Sequence, residues 1–120
     1  MRPALIALAA LALAACKDDP PRPPSEVTQY ARHLDALGDL AQRNQLDCDK
    51  MADAFDAWFT ENGKDFAPLH AKAANGKLKA AMGSKALATV GSASASLKVY
   101  AGACAKKSAK LAALLQAHRL

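Results

Sequence analysis

Alanine occupies thirty of the 120 positions, whereas Val, Ile and Thr together occupy seven. Alanine is the strongest helix former, and β-branched side chains are the ones that pack well on a pleated surface. Extended sheet therefore lacks material, and an all-α fold is expected. The length admits one small domain. Because Ala buries little area, the core has to come from a few larger side chains. The expected set is Leu34, Leu37, Met51, Phe55, Trp58, Leu78, Leu87, Leu97, Leu111 and Leu115.

Apolar residues at helical spacing divide the chain. Val27, Tyr30, Leu34, Leu37 and Ala41 recur at three and four residues behind Ser25, a good N-cap, and predict a first helix over about 26–45. Asp47 caps a second, over 48–62, with Cys48, Met51, Phe55 and Trp58 on one face and an exit at Asn62-Gly63. Leu69, Ala73, Gly76, Ala80, Gly83, Leu87 and Val90 keep a continuous four-three spacing, so a third helix is predicted over 66–90, with Gly76 and Gly83 inside its seam. Ala93, Leu97, Ala101, Cys104, Ser108, Leu111 and Leu115 mark a fourth over 92–118. The expected architecture is a small antiparallel four-helix bundle.

Ahead of these helices, Arg2 precedes an uncharged apolar run from Leu5 to Leu13, too short for a span that takes about 20 apolar residues. It reads as an export signal over 1–15. Leu13-Ala14-Ala15-Cys16 resembles the lipobox of bacterial lipoproteins. That resemblance implies a diacylglyceryl group on the Cys16 thiol, cleavage before Cys16 and attachment to the membrane through lipid. It further implies residence in the cell envelope. Lys17, where Asp would retain the protein at the inner membrane, points to the periplasmic face of the outer membrane, with the inner membrane as the alternative. Ordinary secretion, cut at Ala12-Leu13-Ala14, would leave three thiols that cannot all pair. Four prolines in residues 20–24 make 16–24 a stiff tether, not a core element.

Lipidation of Cys16 leaves Cys48 and Cys104 as a disulfide couple, since neither lies in a Cys-x-x-Cys. With straight antiparallel helices of equal rise, the two lie level when the turn after the third helix falls at about residue 91 or 92. Gly91-Ser92 is such a turn. A turn at Gly83 would leave the sulfurs roughly 25 Å apart along the axis.

Charge is unevenly divided. Residues 17–63 hold five basic and ten acidic groups, and 64–120 hold ten basic groups and only Asp65. Mutual pairing of the acidic and basic helices is the plain expectation; the functional alternative is that Lys98, Lys106, Lys107 and Lys110 present a basic patch to anionic lipid, lipopolysaccharide, cell-wall polymer or an acidic protein, with Lys106 and Lys110 on one helix face. An exported chain without aromatic residues among its lysines does not suit nucleic acid. Asp49, Asp53 and Asp56 form a stripe at helical spacing but lack the oxygen-rich loop of a calcium site. His33, His70 and His118 stand on separate helices without ligand spacing, and no Gly-x-Ser-x-Gly elbow frames a serine. No catalytic residue, metal site or cofactor is expected, and the chain is not read as an enzyme. The functional expectation is an envelope interaction module for a protein or an anionic polymer. The alternative is a small-molecule or metal sensor that uses a cavity near Trp58 and Tyr30.

Overall fold

The structure is a computed structural model that describes residues 25–120. The signal over 1–15, Cys16 and the tether over 16–24 lie outside the described residues. All regular elements among the described residues are helical: α1 (Glu26–Arg43), α2 (Cys48–Ala74), a 3-10 turn (Lys79–Ala81), α3 (Ser84–Ser96), α4 (Gly102–Ala105) and α5 (Ala109–Ala117). A π-helical turn, Leu97–Ala101, joins α3 to α4 without a break, so the elements form four helical rods in a bundle.

The hub is α1. Ser25 caps it by accepting from the Thr28 N–H at 3.2 Å, and Val27, Tyr30, Ala31, Leu34, Leu37, Gly38 and Ala41 are buried along it. That face is broad enough to receive two neighbours, α2 on one side and α3 on the other. Gly38 sets the distance to α3, since a Cβ there would lie 3.1 Å from Ala93 Cα and 3.2 Å from its carbonyl oxygen. Only the absence of a side chain lets the two backbones approach this closely.

The second helix is longer than the periodicity reading expects. Asp47 does cap it, accepting from the Lys50 N–H at 3.0 Å, but the predicted exit at Asn62-Gly63 does not form and the helix runs on to Ala74, with Pro68 inside it. An interior Gly costs about 1 kcal/mol and an interior Pro about 3 kcal/mol in helix propensity. Phe55, Phe59, Phe66 and Leu69 offset that cost, because they keep to one buried face only if the helix is continuous. Local propensity loses here to tertiary burial.

The true exit lies at Asn75-Gly76, placed inside a helix by the sequence reading. Gly76 has φ +75°. The Lys77 N–H reaches the Lys72 carbonyl at 2.9 Å and the Gly76 N–H reaches that of Ala73 at 3.1 Å, the paired bonds of a left-handed glycine exit. Gly83 then stands as the N-cap of α3 in extended conformation. The predicted break at Gly91-Ser92 is absent, and both residues are helical. Leu87, assigned to the core through the 66–90 seam, is consequently 46% exposed. The face expected of the fourth helix survives the change: Ala93, Leu97, Ala101, Cys104, Ser108 and Leu111 are all buried. The rod itself stops at Ala105, and Ser108 caps α5 by accepting from the Leu111 N–H at 3.1 Å.

Cys48 and Cys104 are bonded, with Cα atoms 5.0 Å apart. Their register did not require a turn near residue 91. Residues 75–83 now separate the helix that begins at Cys48 from the rod that carries Cys104.

Candidate binding surfaces

The four predicted lysines do not form one group. Lys98 lies on the π turn, and Lys106 and Lys107 lie in the turn between α4 and α5; all three are exposed. Lys110, on α5, meets Asp53 at 2.9 Å and Asp56 at 3.3 Å on α2. Those hydrogen bonds, first to Asp53 and then to Asp56, hold its ammonium above the ordinary lysine pKa. The turn at 106–108 also separates Lys106 from Lys110, so the shared helix face expected of them is interrupted.

The acidic stripe is largely accounted for by the same pairs. Glu26–Lys72 at 2.6 Å and Asp39–Arg43 at 2.8 Å complete the ion pairs among the described residues, and none of these reaches Lys98, Lys106 or Lys107. No three His, Cys, Asp or Glu side chains come together there in a form that could hold a metal ion.

The rod from α3 through α4 carries the second surface. Over residues 84–105 it buries only Ala93, Leu97, Ala101 and Cys104. Its outward side is Ala, Ser, Gly, Leu87 and Val99, with Lys85 and Lys98 as the only charges on the whole rod. Val99 is 61% exposed. No described helix is long and apolar enough to cross a membrane.

A cleft of about 420 Å³ opens where α1, the π turn and the end of α5 meet. Leu34, Leu97, Leu115 and Leu120 supply apolar walls, and Lys98 and Arg119 supply cations, with no carboxylate side chain among the lining residues. Behind it lies an aromatic cluster that the sequence reading did not assemble. Phe66 stacks on His70 with centroids 5.0 Å apart and on Tyr30 at 6.0 Å, and His33 stands edge-on to Trp58 at 5.6 Å. His118 stacks on Phe59 at 3.7 Å. All three histidines thus enter the ring packing. Trp58, expected beside a cavity, belongs to this cluster, while Tyr30 does line the cleft.

Hydrogen bonds order the back of the cleft. His70 Nε2 lies 2.9 Å from the Arg119 carbonyl and Nδ1 lies 2.9 Å from the Tyr30 hydroxyl. A carbonyl can only accept, so Nε2 carries the proton and donates; in the neutral imidazole Nδ1 then accepts from Tyr30. Burial raises the Tyr30 pKa, which keeps that hydroxyl a donor.

Arg119 is the one described non-glycine residue at positive φ, 58°. It occupies the position after the α5 cap, where Gly is usual. The Leu120 N–H bonds to the Leu115 carbonyl at 2.8 Å and the Arg119 N–H to that of Gln116 at 3.2 Å, which brings Leu120 and Leu115 to one wall. Continuation of the Phe59, Phe66 and His70 face through Gly63 was the sequence signal for half of this site. Nothing in the sequence marked Arg119.

No family model, curated protein or solved structure matches the chain.

Proposed function

We propose that the protein is a lipid-anchored component of the bacterial cell envelope, fastened through Cys16 after removal of its signal and held off the membrane by the proline tether. Its four helical rods, alternating up and down, act as an interaction module for an anionic envelope polymer or an acidic protein surface. The periplasmic face of the outer membrane is its proposed location. One observation carries this reading: the α3–α4 rod buries four of its residues, bears no carboxylate, and leads through Lys98 to Lys106 and Lys107, neither of which enters an ion pair among the described residues. A surface helix ordinarily turns charge outward, and one that turns Ala, Leu and Val outward between lysines suits a partner that is apolar at the centre of contact and negative around it.

The test is sedimentation of the full lipidated chain with purified cell-wall sacculi at low and high salt. Salt-sensitive binding is expected, and it is lost when Lys98, Lys106 and Lys107 become Ala. Lys110→Ala leaves it nearly intact, because Lys110 is already engaged by Asp53 and Asp56. Binding indifferent to salt, or equal loss in both variants, removes the reading. The alternative function, binding of a small molecule within the bundle, is favoured by the cleft beside Tyr30.

A further inference from the structure

The cleft contains more chemical information than its shape. Its volume of about 420 Å³ falls in the range of roughly 300–1,000 Å³ usual for small-molecule sites. Its polar groups divide into two kinds. Tyr30 and His70 are committed to one another and to the Arg119 carbonyl, so they form a fixed back wall. Lys98 and Arg119 are uncommitted: no described ion pair includes either side chain. They come from different elements of the fold, one from the π turn and one from the residue after the α5 cap.

Both positions are backbone irregularities. The π turn lets the Gly102 N–H reach five residues back to the Leu97 carbonyl, and such turns recur at binding sites. Arg119 holds a left-handed φ that Gly would adopt without strain. The outcome in each case is a cation at the cleft. Two cations over four leucines, without a neutralising carboxylate side chain, describe the complement of an amphiphilic anion.

We propose that this cleft binds a single-chain alkyl carboxylate, a fatty-acid-like anion. Its hydrocarbon chain lies against Leu34, Leu97, Leu115 and Leu120, and its carboxylate meets Lys98 and Arg119. The site stands apart from polymer binding by the α3–α4 rod, with which it shares only Lys98.

Calorimetry with sodium decanoate on the full chain carrying Cys16→Ser, which removes the acylated thiol, tests the assignment. One decanoate per chain is expected, and affinity rises about fourfold for each methylene from hexanoate to decanoate. Acetate does not bind, and decyltrimethylammonium binds far more weakly than decanoate. Two variants keep the result independent of folding. Arg119→Gly removes the cation while easing the left-handed backbone, and weakens decanoate roughly two- to fivefold without lowering the melting temperature. Gly102→Leu fills the cleft, which Gly102 lines; Gly102 is helical and a Cβ there meets nothing within 4 Å, so the bundle stays folded and decanoate binding is lost. Lys106→Ala with Lys107→Ala leaves decanoate affinity unchanged, which separates this site from the polymer surface. Absence of decanoate binding, full binding in a folded Gly102→Leu chain, or equal affinity for decyltrimethylammonium overturns the proposal.

Discussion

Five of the six aromatic residues, Tyr30, Phe55, Trp58, Phe59 and Phe66, belong to α1 and α2, whereas the run from α3 to α5 contributes Tyr100 alone. The first pair of helices buries large rings against one another. The second run is mostly Ala, Ser and Gly, so it buries small side chains and a few leucines, Leu97 and Leu111 among them, and adds a glycine contact and a disulfide. The two regions therefore persist for different reasons. Large-ring burial maintains α1 and α2, while the run that packs on them adds close approach and a covalent constraint to the burial of smaller side chains.

The largest effect that would probe this contrast is Phe66→Ala. Phe66 is 1% exposed and touches Tyr30, Trp58, Phe59 and His70, so urea unfolding should show a loss of about 3–5 kcal/mol. Leu97→Ala, in the other run, should fall at the lower end of the range of about 2–5 kcal/mol for Leu truncation. Equal losses would erase the distinction. Reduction of Cys48–Cys104, which closes a separation of 56 residues, should come next. The chain-entropy model assigns it about 4 kcal/mol, and melting by circular dichroism should fall by about 15–30 °C. Hydrogen exchange sharpens the test, because amides of α3 to α5 should lose more protection than those of α1 and α2.

Gly38→Ala should cost about 1–3 kcal/mol, since the new methyl must push Ala93 backbone away. Gly63→Ala meets open space and should gain up to about 1 kcal/mol of helix propensity. The smallest expected effect is alkaline. Tyr30 and Lys110 both hold protons more tightly in the folded chain, the first through burial and the second through Asp53 and Asp56. Stability from these groups is complete below the ordinary phenol and ammonium pKa values and declines as pH rises past them. Urea midpoints measured across that range should drop, and more gently in Tyr30→Phe.

Helix class, the face of α1, both early caps and the cysteine pair were legible because each rests on residue types with one strong local preference. Ser25 and Asp47 cap wherever a helix begins, and large apolar residues at helical spacing declare a face. The middle of the chain was not legible in the same way. From Leu69 to Val90 the apparent seam is mostly Ala and Gly, and in a chain so rich in Ala a four-three spacing can be drawn through many positions without any of them being buried. The turn glycine and the helical glycines exchanged places for that reason. Only tertiary contact tells Gly76, with φ +75°, from Gly91, which is helical. The cleft was hidden for a related reason: Tyr30, His70 and Arg119 are 40 and 49 residues apart, and no local pattern links them.

The bond from His70 to the Arg119 carbonyl also bears on the order of assembly. Among the described residues, the Cys48 disulfide forms only once residue 104 is present, the Asp53 and Asp56 ion pairs wait for residue 110, and the bond from His70 Nε2 waits for residue 119. A polypeptide threaded through a translocation channel from its amino end would emerge with its aromatic hairpin early and its fastenings last. Such a chain would gain these constraints only once residues 104–119 had followed.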